Sequence, residues 1–128
     1  MTPSDILAIM TKALIVVDHG SKVQKANDHL ELVVSLLNQQ RPLLLIEPAH
    51  MELAEPSISQ AVIRCVEQGA THITVFAYML SPGRHSTQDI PHLVEEALAP
   101  YPYLTYQVIP GFGLNPKLGE IIWDKTQL

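Results

Sequence analysis

Four short apolar runs, each followed by a stretch with helical spacing, constrain this chain more than any other feature. The runs are ALIVV (13–17), LLLIE (43–47), ITVFAYM (73–79) and TYQVI (105–109). Their length and branching predict strands, and the first three read as buried on both faces. Between and after them lie helical patterns. Ala26–Leu37 carries Leu30, Val33, Val34 and Leu37 on one stripe, and Ser57–Val66 opens behind Pro56 and stops before Gly69. A third helix is predicted from Thr87 or Asp89 to Leu98, and a fourth from Pro116 to about Lys125. Consecutive βα units need crossover connections, so the strands should run parallel with helices on the sheet faces. The expected fold is therefore α/β: one domain over residues 1–128, built on a four-stranded, mainly parallel sheet with flanking helices.

Length and composition narrow the function classes. A chain of 128 residues closes one modest core, and 47% apolar against 16% charged residues describes a globular chain that can cover more than one face. Eight Lys and Arg against thirteen Asp and Glu leave a net charge of -5, which gives no footprint for nucleic acid or an anionic membrane. Cys65 is the only cysteine. It excludes an intrachain disulfide and an all-cysteine metal cluster, and it fits a reducing compartment. The segment SDILAIMT (4–11) is too short to span a membrane, and no basic region with a long apolar core and cleavage site accompanies it. A soluble, cytoplasmic protein is expected.

In open parallel α/β sheets, ligands bind beyond the carboxyl ends of the strands. The chemically informative residues fall there. His19 follows the first run; Glu47, His50, Glu52 and Glu55 follow the second; Arg84 and His85 follow the third; and GFG (111–113) follows the fourth. A single histidine at a strand end ordinarily hydrogen-bonds a loop backbone. Two histidines and a carboxylate from converging loops are different. They suit a divalent metal or proton transfer, because neutral imidazole is both a ligand and a base near pH 7. His29 and His92 within helices, and His72 at a strand start, read as structural or solvated, while His50 fits either role. Cys65 reads as a small core residue. GFGLNP lacks both the dinucleotide fingerprint and the P-loop Lys, and reads as a tight turn after the fourth strand.

Three ordered motifs, DHGSKVQKAND, HMELAEPSISQAV and YMLSPGRHSTQDIP, resemble the small class II chelatases that insert a metal into sirohydrochlorin, the cobaltochelatases and ferrochelatases of the CbiX and SirB type. The likeness covers nearly the whole chain. Two positions depart from it: Asp18 stands where many members have Gly, and Lys22 where Arg is common.

The resemblance implies a chelatase-like fold and a lyase acting in sirohaem or cobalamin formation, a branch of porphyrin biosynthesis. It implies that His19 and His85 hold the incoming Fe2+ or Co2+, with iron slightly preferred, and that Glu52 assists binding or accepts a proton. The metal is then a substrate, and no permanently bound cofactor is expected. Gly20 would let the backbone turn beside the macrocycle, and Ser21 would cap the loop or orient His19. Arg84 is the best bidentate donor for substrate carboxylates, with Lys22 and Lys25 as looser charges. The resemblance to longer two-domain chelatases also implies a homodimer, since one short chain supplies half of a pseudo-symmetric cleft. Two other readings stay open at this point: a histidine phosphatase, which Asp18 disfavours by repelling phosphate, and a non-catalytic metal-binding or delivery domain.

Overall fold

The computed structural model describes residues 11–128, with the side chains of residues 85 and 86 outside that description. Nearly all of SDILAIMT lies outside the described residues. The elements are β1 (Lys12–Asp18), α1 (Gln24–Gln40), β2 (Leu45–His50), α2 (Ile58–Glu67) and β3 (His72–Ala77), then a short π-helical turn (His85–Asp89), α3 (Ile90–Leu98), β4 (Thr105–Ile109) and α4 (Pro116–Thr126). The four strands form one sheet in the order β2-β1-β3-β4, every pair parallel. Among the described residues, no helix is long and apolar enough to cross a membrane.

The main core lies on one face of the sheet. Ile15 and Val17 of β1 with Ile73 and Val75 of β3 pack against Ile58, Ala61, Val62 and Cys65 of α2 and Ile90 and Val94 of α3. Each large aliphatic side chain buried there contributes about 1.5–3 kcal/mol of transfer free energy. A reciprocal capping box starts α2: Gln60 N–H donates to Ser57 Oγ, and Ser57 N–H donates to Gln60 Oε1. Cys65 is fully buried, and burial, aided by the charge of Glu47, pushes its thiol up to about 12. It is a core residue, as expected.

Two expectations are corrected. The second strand runs over Leu45–His50 rather than 43–47, and Leu43 is wholly exposed. β2 is an edge strand, so Pro48, which lacks an N–H, can sit inside it without removing a ladder bond. The third strand is buried on one face only, alternating buried and half-buried along its length. On its second face α1 packs over β1 and β2, where Leu30 and Val34 meet Val16 and Ile46. The β3 and β4 side is left as an open apolar cleft of about 440 Å³, lined in part by Val33, Leu36, Phe76, Tyr78, Ile109 and Phe112. Helix α4 buries no residue, and Ile121, Ile122 and Trp123 are each more than half exposed.

Candidate metal and substrate site

Parallel register builds the site. Asp18, the last residue of β1, is paired with His50, the last residue of β2. Pairing continues past the sheet: Met51 N–H donates to the Asp18 carbonyl (2.9 Å) and Glu52 N–H donates to the His19 carbonyl (3.2 Å). The two loops therefore leave the sheet side by side, which brings His19 Nε2 to 3.8 Å from Glu52 Oε1 with both side chains about half exposed. A divalent ion about 2.1 Å from each atom spans such a gap at an angle wider than tetrahedral, leaving coordination positions for other ligands.

Gly20 permits this closeness. Its φ is +89°, and a Cβ there would lie 1.8 Å from the Glu52 carbonyl oxygen, so no side chain fits between the loops. Ser21 caps the loop: its Oγ accepts from Val23 N–H (3.0 Å). Asn27 then clamps the same residue twice, its Oδ1 accepting from Ser21 N–H (2.9 Å) and its Nδ2 donating to the Ser21 carbonyl (2.7 Å). This clamp was not singled out from the sequence. Its signal was a polar residue three positions before Leu30 and seven before Val34, on the stripe that α1 buries, where an amide needs partners.

His85 opens the π-helical turn after β3, directly behind the exposed Arg84. The turn is tied at its start, where Thr87 donates to the Gly83 carbonyl through N–H (2.9 Å) and Oγ1 (2.7 Å). At its far end Asp89 shares a cleft with Met51, Glu52, His92 and Leu93, so the second and third loops adjoin. Among the described residues, no group of three or more His, Cys, Asp or Glu side chains is arranged to hold a metal ion. What the structure brings together directly is His19 and Glu52.

The other candidates lie elsewhere. Glu47 is within β2, and its carboxylate accepts from Gln68 Nε2 (3.0 Å) and faces Arg64 Nη1 (4.0 Å). Glu55 accepts from Gln60 Nε2 (3.4 Å) at the start of α2. His50 is buried, with Nδ1 2.6 Å from Asp18 Oδ1. His29 is exposed on α1, its ring tilted against Tyr78 at 6.1 Å. His72 meets Thr105 Oγ1 (2.7 Å) at the amino end of the sheet, and the exposed His92 pairs with Glu96 (2.9 Å). Lys22 and Lys25 are exposed near the first loop. In the GFG turn, Phe112 N–H donates to the Met79 carbonyl (3.0 Å), folding the loop after β4 onto the loop after β3.

An open parallel sheet whose carboxyl edge brings an imidazole and a carboxylate side by side places this chain in the open α/β class. The CbiX family model matches residues 13–127, and the chain belongs to that family. It is 39% identical over 114 residues to the chloroplastic sirohydrochlorin ferrochelatase of Arabidopsis thaliana, covering 89% of this chain and 51% of that protein. The sirohydrochlorin chelatase SirB from Bacillus subtilis subspecies spizizenii in complex with cobalt matches with a TM-score of 0.85 and 28% identity, over 92% of this chain and 50% of that one. A cobalamin biosynthesis CbiX protein from Marinobacter aquaeolei VT8 matches with a TM-score of 0.77 and 30% identity, over 91% of this chain and 94% of that one. The chain thus spans about half or less of the length of several curated relatives, 51%, 38% and 42% in three of them.

Proposed function

We propose that this chain is a sirohydrochlorin chelatase that inserts Fe2+ or Co2+ into the tetrapyrrole. The observation that carries the reading is the approach of His19 Nε2 to within 3.8 Å of Glu52 Oε1 at the carboxyl edge of the sheet. Family membership and relatives named as sirohydrochlorin ferrochelatase and cobaltochelatase support the substrate. Metallation replaces two pyrrole N–H protons by one divalent ion, so the site must deliver a partly desolvated cation and accept the protons released. His19 and His85 bring the metal and can release it, because imidazole with open coordination positions holds it less firmly than a thiolate cage. Glu52 steadies the ion or takes a proton. Gly20 and Ser21 shape the loop beside the macrocycle, and Arg84 offers its planar fork to a substrate carboxylate. The only cysteine is buried Cys65, which accords with a reducing, cytoplasmic setting.

The test is anaerobic absorbance of sirohydrochlorin with the protein and Fe(II), Co(II) or Ni(II) in turn. Conversion to the metallated spectrum faster than without protein is expected for iron and cobalt. Metal binding with no acceleration would make the chain a delivery domain instead.

In that assay, Glu52→Gln keeps the size of the side chain but removes its basic charge, and metallation should slow by about a hundredfold, the lower range for a positioned acid–base group. Sirohydrochlorin binding should change much less. Glu55→Gln, altered at a residue bonded to Gln60, should leave the rate near normal. A loss confined to Glu55→Gln would transfer the role to that residue.

The active form is proposed to be a homodimer. Among the described residues the apolar cleft stays open, and Ile121, Ile122 and Trp123 of α4 are each more than half exposed. A second copy covers both surfaces. Light scattering is expected to give about twice 14.2 kDa, and Trp123→Glu should shift it toward the monomer. A fully active monomer at working concentration would overturn the pairing.

A further inference from the structure

We propose that the partly buried Asp18–His50 pair is a positioning element of the metal site, helping to hold the His19 and Glu52 loops at the separation the metal requires. The two residues end adjacent strands in direct register, and each immediately precedes or lies within two positions of a site residue. Their side chains meet at 2.6 Å, with His50 only 3% and Asp18 20% exposed. A carboxylate can only accept, so His50 Nδ1 carries the hydrogen and donates it to Asp18. A contact this short and this sheltered from water is directional and resists sliding of one strand end along the other.

His50 is held from three sides. Its N–H donates to the Pro56 carbonyl (2.8 Å), where an isolated parallel bridge to Ser57 joins β2 to the start of α2. Its Cβ lies 3.2 Å from where a Cβ on Gly20 would stand, so it floors the turn that carries His19. Its ring grips Asp18. The two backbone bonds beyond, from Met51 to Asp18 and from Glu52 to His19, tie the strand ends through the main chain. The Asp18–His50 contact adds a side-chain tie beside them, on the His50 face of the Gly20 turn. Removing Asp18 leaves a buried imidazole donor without its acceptor, and the strand ends must part or admit water to satisfy it. Either change carries His19 away from Glu52.

The proposal rests on His19 and Glu52 receiving the metal, and the experiment separates the two ideas. Co(II) is titrated into the 128-residue chain and its visible absorption bands are followed for the native sequence and for His19→Ala, Asp18→Ala, Asp18→Asn and Glu47→Gln, all well below their unfolding temperatures. His19→Ala should abolish the bands; if it does not, the site reading itself fails. Asp18→Ala should weaken Co(II) binding by about ten- to hundredfold, the range for losing a group that orients a metal ligand. Asp18→Asn keeps an acceptor oxygen for His50 and should recover part of that loss. Glu47→Gln, which disturbs a different pair on β2, should leave affinity unchanged even if it lowers stability. Native Co(II) affinity in Asp18→Ala, with His19→Ala defective, would overturn the positioning role. If Asp18→Ala does not fold, Asp18→Asn decides alone: a several-fold weakening supports the role and unchanged affinity refutes it.

Discussion

His19→Ala and His85→Ala are each expected to lower the metallation rate by at least about a hundredfold, while circular dichroism and thermal unfolding stay close to native. The size follows from chemistry. The imidazole is asked both to bring a cation and to let it go, and alanine can do neither. The insensitivity of the fold follows from position: the His19 side chain is 47% exposed, beyond the last residue of β1, and His85 starts a turn rather than a packed helix. His29→Ala and His92→Ala serve as controls. Both residues are exposed, one against Tyr78 and the other paired with Glu96, so their removal should change the rate little. Near-normal rates in both His19→Ala and His85→Ala would remove the site assignment, and a large loss in either control at unchanged stability would show that a different histidine carries the metal.

Gly20→Ala is expected to damage both stability and activity, although it adds only a methyl group. The new Cβ would meet the Glu52 carbonyl oxygen at 1.8 Å, and a φ of +89° is strained for any L side chain. The conformation alone costs about 1–3 kcal/mol. At about 4 °C per kcal/mol for a chain of this size, a fall of at least about 4 °C in Tm is expected from that term, with the clash adding to it. The obstructing atom is backbone, so relief requires the Glu52 loop to move. That motion lengthens the 3.8 Å approach of His19 to Glu52, and metallation should fall together with stability. Gly69→Ala is the comparison: it has a similar φ of +88° but nothing within 4 Å, so it should lower Tm without touching the rate. A Gly20→Ala variant with native Tm and native rate would show that the loops are not packed as described.

Some of the fold was legible because local pattern and tertiary environment agree. TYQVI was expected at 105–109 and β4 is Thr105–Ile109; the fourth helix was expected from Pro116, and α4 begins there behind the Asn115 cap. The segments that shifted are those whose neighbours matter. Pro48 can lie within a strand only because β2 is an edge, and strand order is not written in any local run. The third helix starts at Ile90 after a π-helical turn, a departure from regular spacing that periodicity does not report.

The site divides in the same way. That His19, Glu52 and His85 belong to loops at one edge of a parallel sheet followed from the chain alone, because βα alternation sends every such loop to the carboxyl ends of the strands. The distances did not follow. His19 and Glu52 meet because Asp18 is in register with His50, and register depends on the packing of whole strands. His50, which could have been a ligand, is instead buried against Asp18 at 2.6 Å, and Glu47 turns toward Arg64 and Gln68. The open second face of β3 was hidden for the same reason: ITVFAYM is as apolar as a strand covered on both sides, and only the placement of α1 over β1 and β2 leaves Phe76 and Tyr78 lining a cleft. Sequence periodicity and βα alternation determined which elements form and which loops lie at the carboxyl edge of the sheet, since both depend on near neighbours in the chain. Side-chain partners and uncovered surfaces were decided by the tertiary structure, because they depend on which distant residues the sheet order and helix packing set side by side.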